Sequence, residues 1–458
     1  MKPLVPLLLS TLFYIFALSL LIPVFPTLIS FAFPESASVT PESPEVTKLF
    51  GDLSLLKSCL DLLSLPVLGG LSDYLGRRPL HLFCLACAVL QVLLLLPPPL
   101  TSLSSGSYQA ALYLSRALSG VSDAVLALLF ASLTDLAGAD ASLLPVNYGK
   151  VGLVFGFSFT FGPLFSVLLF SQLGVSAVLA AALLSSLAAL LTYAFFVPDT
   201  LPRSSRSPVP PKPHKHAGFL LSLTPLDQLR LLRKTPVVSS YLAVFVLHEW
   251  ATGVYQSWIL YFEWRYSWGV PLIGVFLSAV GITVGIFQGC LLKPLTRSLS
   301  SKLPSSFESA LITYPNLAAV LNFVLCGLTP VGYLLFPFLL LTGLSSFTLP
   351  VLRGVALRTQ PPASYGTVSA LFSTAGVLAR IASSALFPQL LRLSQERPEL
   401  PAGLLNYAAA GLMLACFFLS REVVSRYDPN ELAPAKGEAD TGGKPLAEFG
   451  ANVGGEML

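Results

Sequence analysis

Long apolar runs separated by short polar turns dominate the chain. A helix needs about 20 apolar residues to cross the hydrocarbon core of a bilayer, and with that window twelve runs stand out in two groups of six. They lie near 3–33, 49–71, 79–99, 108–134, 148–171 and 174–198, and then near 236–262, 270–292, 307–328, 330–352, 366–391 and 401–420. This pattern predicts an all-α membrane protein with about twelve membrane-spanning helices.

The composition supports a membrane as the solvent. Hydrophobic residues make up 54% of the chain and charged residues 11%, whereas soluble domains carry roughly 25% charged residues. The net charge of +4 is therefore no sign of nucleic-acid binding, and no nucleic-acid partner is expected. The six cysteines all fall in apolar runs, so we expect neither a metal site nor disulfides. The first run is too long for a signal-peptide core and is expected to stay as a span.

The two groups of spans predict four parts of the chain: a six-helix bundle over 1–199, a basic linker over 200–235, a second six-helix bundle over 236–420, and a tail over 421–458. The linker is rich in Pro, Ser and basic residues, and the tail in Gly, Ala and Glu, which favours disorder of the tail. Within the linker, LDQLRLLRKTP has two open interpretations. It is either an amphipathic helix on the membrane surface or an extension of the seventh span.

The basic residues predict the orientation, because loops on the cytoplasmic side carry an excess of Lys and Arg. With a cytoplasmic N-terminus, most of the basic loop residues lie inside and the loops at 100–107, 172–174 and 329–330 have none. The exceptions are Lys48, Arg265, Arg392 and Arg397. Both termini are therefore expected in the cytoplasm.

One turn is unusually rich in charge and glycine. Between the second and third spans the chain reads GGLSDYLGRRP, residues 69–79. It resembles the motif of the major facilitator superfamily, in which Gly, any residue, Leu, a small residue, Asp and two further residues precede Gly-Arg-Arg. The matching positions are Gly69, Leu71, Asp73, Gly76, Arg77 and Arg78.

Other segments resemble the drug:proton antiporter branch of that superfamily, in particular its tetracycline-transporter-like and hippocampus-abundant-transcript-like members. They are LLIPVFP in the first span, Arg116 to Gly120 in the fourth with Asp135 at its end, Gly152, Gly156, Gly162 and Pro163 in the fifth, and VPDTLP after the sixth. The resemblance implies the major-facilitator fold, with two pseudo-symmetric six-helix bundles and a monomer as the default. Gly120, Gly156, Gly162 and Pro163 are then expected to kink helices or pack them closely.

The resemblance also implies a latch on the cytoplasmic face that breaks as the two halves move. Its expected members are Gly69, Asp73, Gly76, Arg77, Arg78 and Asp135. Arg77 is placed to bridge Asp73 and Asp135 through charge-assisted hydrogen bonds. Asp73 is placed to face the positive N-terminus of the eleventh span near 364–366. For Arg78 a simpler interpretation is open, as a charge that anchors the inner face.

Ionisable residues inside the spans point to a substrate and proton pathway, because each costs roughly 2.5–3.5 kcal/mol to insert at mid-span. Transporters of this build bind substrate near the midplane. The proton-coupling candidates are Asp61, Asp123, Glu249 and Arg116, and the candidates for lining the substrate cavity are Lys57, His248, Tyr255, Gln256 and Arg380. Glu249 resembles an acid that related branch members carry in the seventh span.

Structural interpretations stand beside these functional ones. Lys57 and Asp61 are four residues apart and able to form a static pair. Asp123 is two turns from Arg116 and able to satisfy it. His248 is expected to be a satisfied packing residue. Arg380 either binds an anionic substrate group or pairs with Glu249.

The chain departs from the branch in two places. Its first span has no acid, and Ser166 and Val167 stand where the antiporter signature usually has glycines. A sugar porter is disfavoured, because the loop after the eighth span lacks Gly-Arg-Arg and the sixth span is not followed by Pro-Glu-Ser.

The expected function is secondary active transport of a small organic solute by alternating access, coupled to protons as antiport or efflux. Two alternatives are a facilitator or proton symporter for an organic anion, with Arg116 and Arg380 as anion partners, and a non-transporting receptor or scaffold. No enzymatic nucleophile-base pair, metal set, cofactor motif or phosphate loop appears in the sequence, so we expect neither an enzyme nor a cofactor.

Overall fold

The computed structural model describes residues 3–33, 39–101, 103–137, 143–201, 236–292, 294–295, 298, 307–359 and 365–427. Every regular element in these residues is helical. The possible amphipathic helix in the linker and the tail beyond residue 427 lie outside the described residues.

The first half of the chain begins with a long apolar helix and continues with helices joined by tight turns. Its elements are α1 (Leu4–Leu21), α2 (Phe25–Ser30), α3 (Pro44–Leu75), α4 (Arg77–Leu93), α5 (Pro98–Thr101), α6 (Ser105–Ser122), α7 (Ala124–Ala137), α8 (Leu143–Leu173) and α9 (Val175–Phe196).

The second half has more interruptions within its spans. Its elements are α10 (Pro236–Thr252), a 3-10 turn (Gly253–Ser257), α11 (Trp258–Tyr266), α12 (Val270–Gly285), a π turn (Ile286–Leu291), α13 (Phe307–Leu328), a 3-10 turn (Gly332–Leu334), α14 (Leu335–Ser345), α15 (Thr348–Arg358), α16 (Tyr365–Glu396) and α17 (Leu404–Arg426).

Eleven helical segments of the described residues are long and apolar enough to cross a membrane. They match the predicted runs except the third, which was expected over 79–99. There α4 has 17 residues, or about 25 Å at 1.5 Å per residue, which is at the lower limit for a spanning helix. The helix ends early because three prolines follow at 97–99, and proline cannot continue a helix interior.

The described residues form two compact units. The first comprises the described residues of Met1–Thr224, Ser257–Ser278 and Ser384–Glu396, and the second comprises those of Pro225–Gln256, Ala279–Ser383 and Arg397–Leu458. In the first unit, α1 packs on α8 and α9, and α3 packs on α6. Side chains such as Tyr14, Leu128 and Tyr193 fill its buried core. The division of the chain at 199, 235 and 420 stays a prediction.

Candidate functional site

The turn between α3 and α4 requires glycine at one position. Gly76 has φ 102° and ψ 161°, a conformation that side chains with a Cβ rarely adopt. It ends α3, where its N–H donates to the Ser72 carbonyl at 3.1 Å. Because Gly76 turns the chain at once, Arg77 becomes the first residue of α4. A Cβ added at Gly69, in contrast, would meet nothing within 4 Å among the described residues.

Arg77 brings together the acids that were expected around it. Its Nη1 lies 2.6 Å from Asp73 Oδ1, and its Nε lies 3.1 Å from Asp135 Oδ2. The side chains of Arg77 and Asp135 are 10% and 13% exposed, whereas that of Asp73 is 59% exposed. Charge-assisted bonds are strongest where water is excluded, so the bond to Asp135 is the firmer of the two.

Sequence reasoning missed three further members of this cluster. The Arg77 backbone N–H donates to Asp199 Oδ1 at 3.1 Å, Thr200 Oγ1 donates to Asp135 Oδ2 at 3.1 Å, and Arg77 Nη1 donates to Ser72 Oγ at 2.5 Å. A carboxylate at a helix N-terminus accepts a hydrogen bond from an N–H that has no partner within the helix, and its charge interacts favourably with the helix dipole. In the sequence, Asp199 is signalled only by the resemblance of VPDTLP to the antiporter branch.

Arg78 points to a different partner. Its Nη2 donates to the Ala194 carbonyl near the end of α9, at 2.6 Å. That bond ties α4 to α9 within the first unit and is compatible with the anchor interpretation.

A second charge cluster lies inside the spans. Lys57 Nζ lies 3.2 Å from Asp61 Oδ2 and also forms an ion pair with Asp123. The side chain of Asp61 is 4% exposed, and those of Lys57 and Asp123 are each 26% exposed. One cation is therefore shared by two carboxylates, so a change of charge on either acid changes the field at the other.

The residues around Asp123 explain its position. It lies at the break between α6 and α7, within what was predicted as a single run. Tyr14, which sequence reasoning missed, donates to Asp123 Oδ1 at 3.2 Å. Arg116, proposed as a partner of Asp123, instead stacks its guanidinium over the Phe25 ring, 3.5 Å from the centroid. Such stacking is a favourable cation–π contact.

Gly120 allows the close approach of the helices that carry this cluster. A Cβ added there would lie 2.8 Å from Leu60 Cβ and 2.8 Å from the Lys57 carbonyl oxygen. Ser64 Oγ also donates to the Gly120 carbonyl at 2.7 Å. The packing role expected for Gly120 therefore has a contact in the structure.

The expected packing residues of α8 differ from one another. A Cβ added at Gly162 would overlap Ser19 of α1, with Ser19 Cβ at 2.7 Å, whereas one added at Gly156 would meet nothing within 4 Å among the described residues. Gly162 thus permits close packing, whereas Gly156 has no such contact among the described residues, and its expected role in kinking or packing stays a prediction. Pro163 lies inside α8.

His248 is part of a buried polar network in the second unit. Its Nδ1 lies 2.9 Å from Asn316 Oδ1, which also accepts from Thr348 at 3.2 Å. Asn316 Nδ2 donates to the Ile312 carbonyl and lies 3.4 Å from Ser420 Oγ. This arrangement fits the packing interpretation of His248. Asn316 gave no signal in the sequence beyond being polar in an apolar run.

The remaining cavity candidates surround the break in the seventh span. Glu249 lies half-buried one turn before it, and Tyr255 and Gln256 lie on its 3-10 turn. Gly253, in the same turn, faces Ser383 of α16 so closely that an added Cβ would overlap that side chain. Arg380 is one helical turn from Ser383 and half-buried. The structure therefore brings the turn and the Arg380 region of α16 together within the second unit.

Comparisons with known proteins agree with this fold. A family model described as "Major Facilitator Superfamily" matches residues 7–384. A tetracycline resistance protein, class D, of Salmonella ordonez is 26% identical over 423 residues, covering 92% of this chain and 98% of its own. The human hippocampus abundant transcript-like protein 1 is 30% identical over 254 residues, covering 54% of this chain and 46% of its own.

A solved structure shows the same fold. The crystal structure of the human organic anion transporter MFSD10 (TETRAN) superposes with a TM-score of 0.66 at 23% identity, covering 92% of this chain and 99% of that one. The two-bundle, all-helical membrane fold expected from the apolar runs is thereby confirmed.

Proposed function

This chain belongs to the major facilitator superfamily, and from that premise we propose that it exchanges protons for a small amphiphilic organic solute by alternating access. Like the members of its family and its relatives, it is a multi-pass integral membrane transporter of small molecules. It is not an enzyme. Several relatives are named as tetracycline resistance proteins, which supports a drug-like solute and the direction of efflux.

The observation that carries the proposal is the shared cation at Lys57. Two carboxylates and one ammonium group give this triad a formal charge of −1 when all three are ionised. One proton on Asp61 or Asp123 leaves a neutral set, and charge inside a span is expensive. A proton taken up in one conformation and released in another is the exchange that coupled transport needs.

The cluster around Arg77 has a separate proposed role as the gate. Asp73 and Asp135 bind the same guanidinium from α3 and α7. The exposed Asp73 is the member that is free to change partners when the transporter changes conformation. Gly69, Gly76 and Arg78 support the turn and its anchorage in this proposal.

The environment of the chain completes the proposal. Both termini lie in the cytoplasm, since the basic residues then satisfy the positive-inside rule. The protein works in the lipid bilayer as a monomer, with protons and solute as its partners.

The test is proton flux into proteoliposomes that hold a trapped pH dye. Tetracycline, tetraphenylphosphonium and benzoate are added in turn against an imposed pH gradient. Wild-type protein is compared with Asp61→Asn, Asp123→Asn and Glu249→Gln. Glu396→Gln is the control. Glu396 also forms an ion pair within a membrane-spanning helix, with Arg392 at 2.7 Å, but that pair is exposed.

The triad is supported as the proton site if the wild-type protein shows solute-dependent proton movement that Asp61→Asn or Asp123→Asn abolishes. The control Glu396→Gln should retain that movement. Loss only in Glu249→Gln would move that role to the seventh span. If labelled benzoate crosses without protons, the protein is a facilitator for organic anions and antiport is wrong. If no solute crosses, the scaffold alternative is favoured.

A further inference from the structure

A further ion pair, which the sequence did not predict, lies in the second unit, with one buried member and one partly exposed member. Arg358 Nη2 is 2.5 Å from Glu308 Oε2, and the side chains of Arg358 and Glu308 are 30% and 3% exposed. Glu308 is in the first turn of α13, and Arg358 is the last residue of α15. The pair therefore joins the start of the ninth span to the end of the tenth.

These positions correspond along the chain to those of Arg77 and Asp135. Arg77 starts α4, the third span of the first half, and Asp135 is near the end of α7, in the fourth. The fourth span breaks at Asp123, twelve residues before Asp135. The tenth breaks near Phe347, eleven residues before Arg358. Among the described residues, an arginine–carboxylate pair thus joins equivalent helix ends in each half, with the signs exchanged.

We propose that Glu308 and Arg358 form a second clasp, which holds the ends of the ninth and tenth spans together while the transporter changes conformation. The inference rests on the proposed function for its role in transport and on the ion pair alone for its existence. In the proposed orientation this clasp lies on the cytoplasmic side, as the Arg77 cluster does. Glu308 and Arg358 are positioning residues and need no contact with the solute.

The exchange of signs agrees with the helix dipoles. An acid at the N-terminus and a base at the C-terminus of a helix are both favoured, and Glu308 and Arg358 satisfy this rule. Arg77 and Asp135 are on the disfavoured ends, where Asp199 and Thr200 supply additional bonds. The Glu308–Arg358 pair is therefore aligned with both helix dipoles, whereas the Arg77–Asp135 pair opposes them and is supported by hydrogen bonds from neighbouring groups.

The test is a double-mutant cycle on the full-length protein in detergent and in proteoliposomes. Four variants are compared with the wild-type protein. They are Glu308→Gln, Arg358→Gln, the double variant that combines these two, and the exchange Glu308→Arg with Arg358→Glu. Unfolding temperature is measured for each, and proton flux is measured as a function of tetracycline concentration. Neutralisation of the exposed Arg392–Glu396 pair, 34% and 43% exposed, is the control, since exposed pairs contribute little.

Each single variant is expected to lower the unfolding temperature by several degrees, and the double variant no further than the worse single one. The maximal flux should fall about tenfold, equivalent to about 1.4 kcal/mol in the barrier, with the half-saturating concentration unchanged. The exchange should recover part of both losses. It should recover only part, because each charge then opposes its helix dipole.

The proposed clasp is refuted if the losses of unfolding temperature of the two single variants add up in the double variant. It is also refuted if the single variants behave like the Arg392–Glu396 control. A changed half-saturating concentration with an unchanged maximal flux would overturn its positioning role. If no solute moves protons through the wild-type protein, the proposed function fails, while the unfolding cycle still decides whether the two charges are coupled.

Discussion

Two glycines of the same helix should respond to alanine with opposite signs. In α8, a Cβ added at Gly156 meets nothing within 4 Å among the described residues, whereas one added at Gly162 overlaps Ser19 of α1. Replacing an interior helical glycine by alanine gains roughly 0.5–1 kcal/mol. Overpacking a close contact costs about 1–3 kcal/mol. Gly156→Ala is therefore expected to stabilise by about 0.5–1 kcal/mol, and Gly162→Ala to destabilise by up to about 2.5 kcal/mol after the same gain is subtracted.

The assay is thermal unfolding of the purified protein, followed by tryptophan fluorescence in one detergent. Ser19→Gly is made alone and with Gly162→Ala, because removing the Ser19 side chain opens the space that the new methyl needs. Ser19 also donates to the Phe16 carbonyl at 2.8 Å, so the single variant is needed to subtract the loss of that bond. The double variant should be more stable than the sum of the single changes by about 0.5–3 kcal/mol. Equal shifts in Gly156→Ala and Gly162→Ala would refute the packing argument.

Three other predictions concern the clusters. Gly76→Ala should lower the unfolding temperature by an amount equivalent to roughly 1–3 kcal/mol, because φ is 102° and ψ is 161°, a conformation essentially confined to glycine. An unchanged unfolding temperature would mean that the turn relaxes without strain. Asp199→Ala should destabilise the protein by about 0.5–2 kcal/mol, because it removes the acceptor for the Arg77 N–H. Asp199→Asn should lose less stability, and equal losses in the two variants would contradict a capping role. His248→Leu should destabilise the protein by about 1–3 kcal/mol, because it removes the hydrogen bond of His248 to the buried Asn316 Oδ1. In the same unfolding assay, His248→Gln should lose less stability.

Local spacing predicted the contacts that local geometry decides. Lys57 and Asp61 are one helical turn apart, and Asp73 and Arg77 span one glycine turn, so the distances between these side chains are set within a few residues. The twelve apolar runs were visible for the same reason, since each span must be apolar by itself. The helix of the third span is shorter than its apolar run, because the prolines at 97–99 do not continue a helix.

Contacts between distant segments could not be predicted in this way. Asp199 reaches the N-terminus of α4 across 122 positions of sequence, and Glu308 reaches Arg358 across 50. Gly156 and Gly162 each follow a phenylalanine in α8, and the contact of Gly162 with Ser19 of α1 lies outside this local sequence. A spacing rule describes one helix, whereas each of these contacts depends on how two helices meet.

The partner of Asp123 shows how such a meeting overrides spacing. Arg116 and Asp123 share a face of one span, but seven residues correspond to about 10.5 Å along a helix. Gly120 lies between them and lets α3 approach until the Lys57 carbonyl oxygen is 2.8 Å from the position of its absent Cβ. The ammonium group of Lys57 therefore reaches Asp123 first, and Arg116 packs on Phe25 instead. Since Lys57 also binds Asp61, a proton on one acid strengthens the hold of the lysine on the other, and the two carboxylates are expected to act as one site.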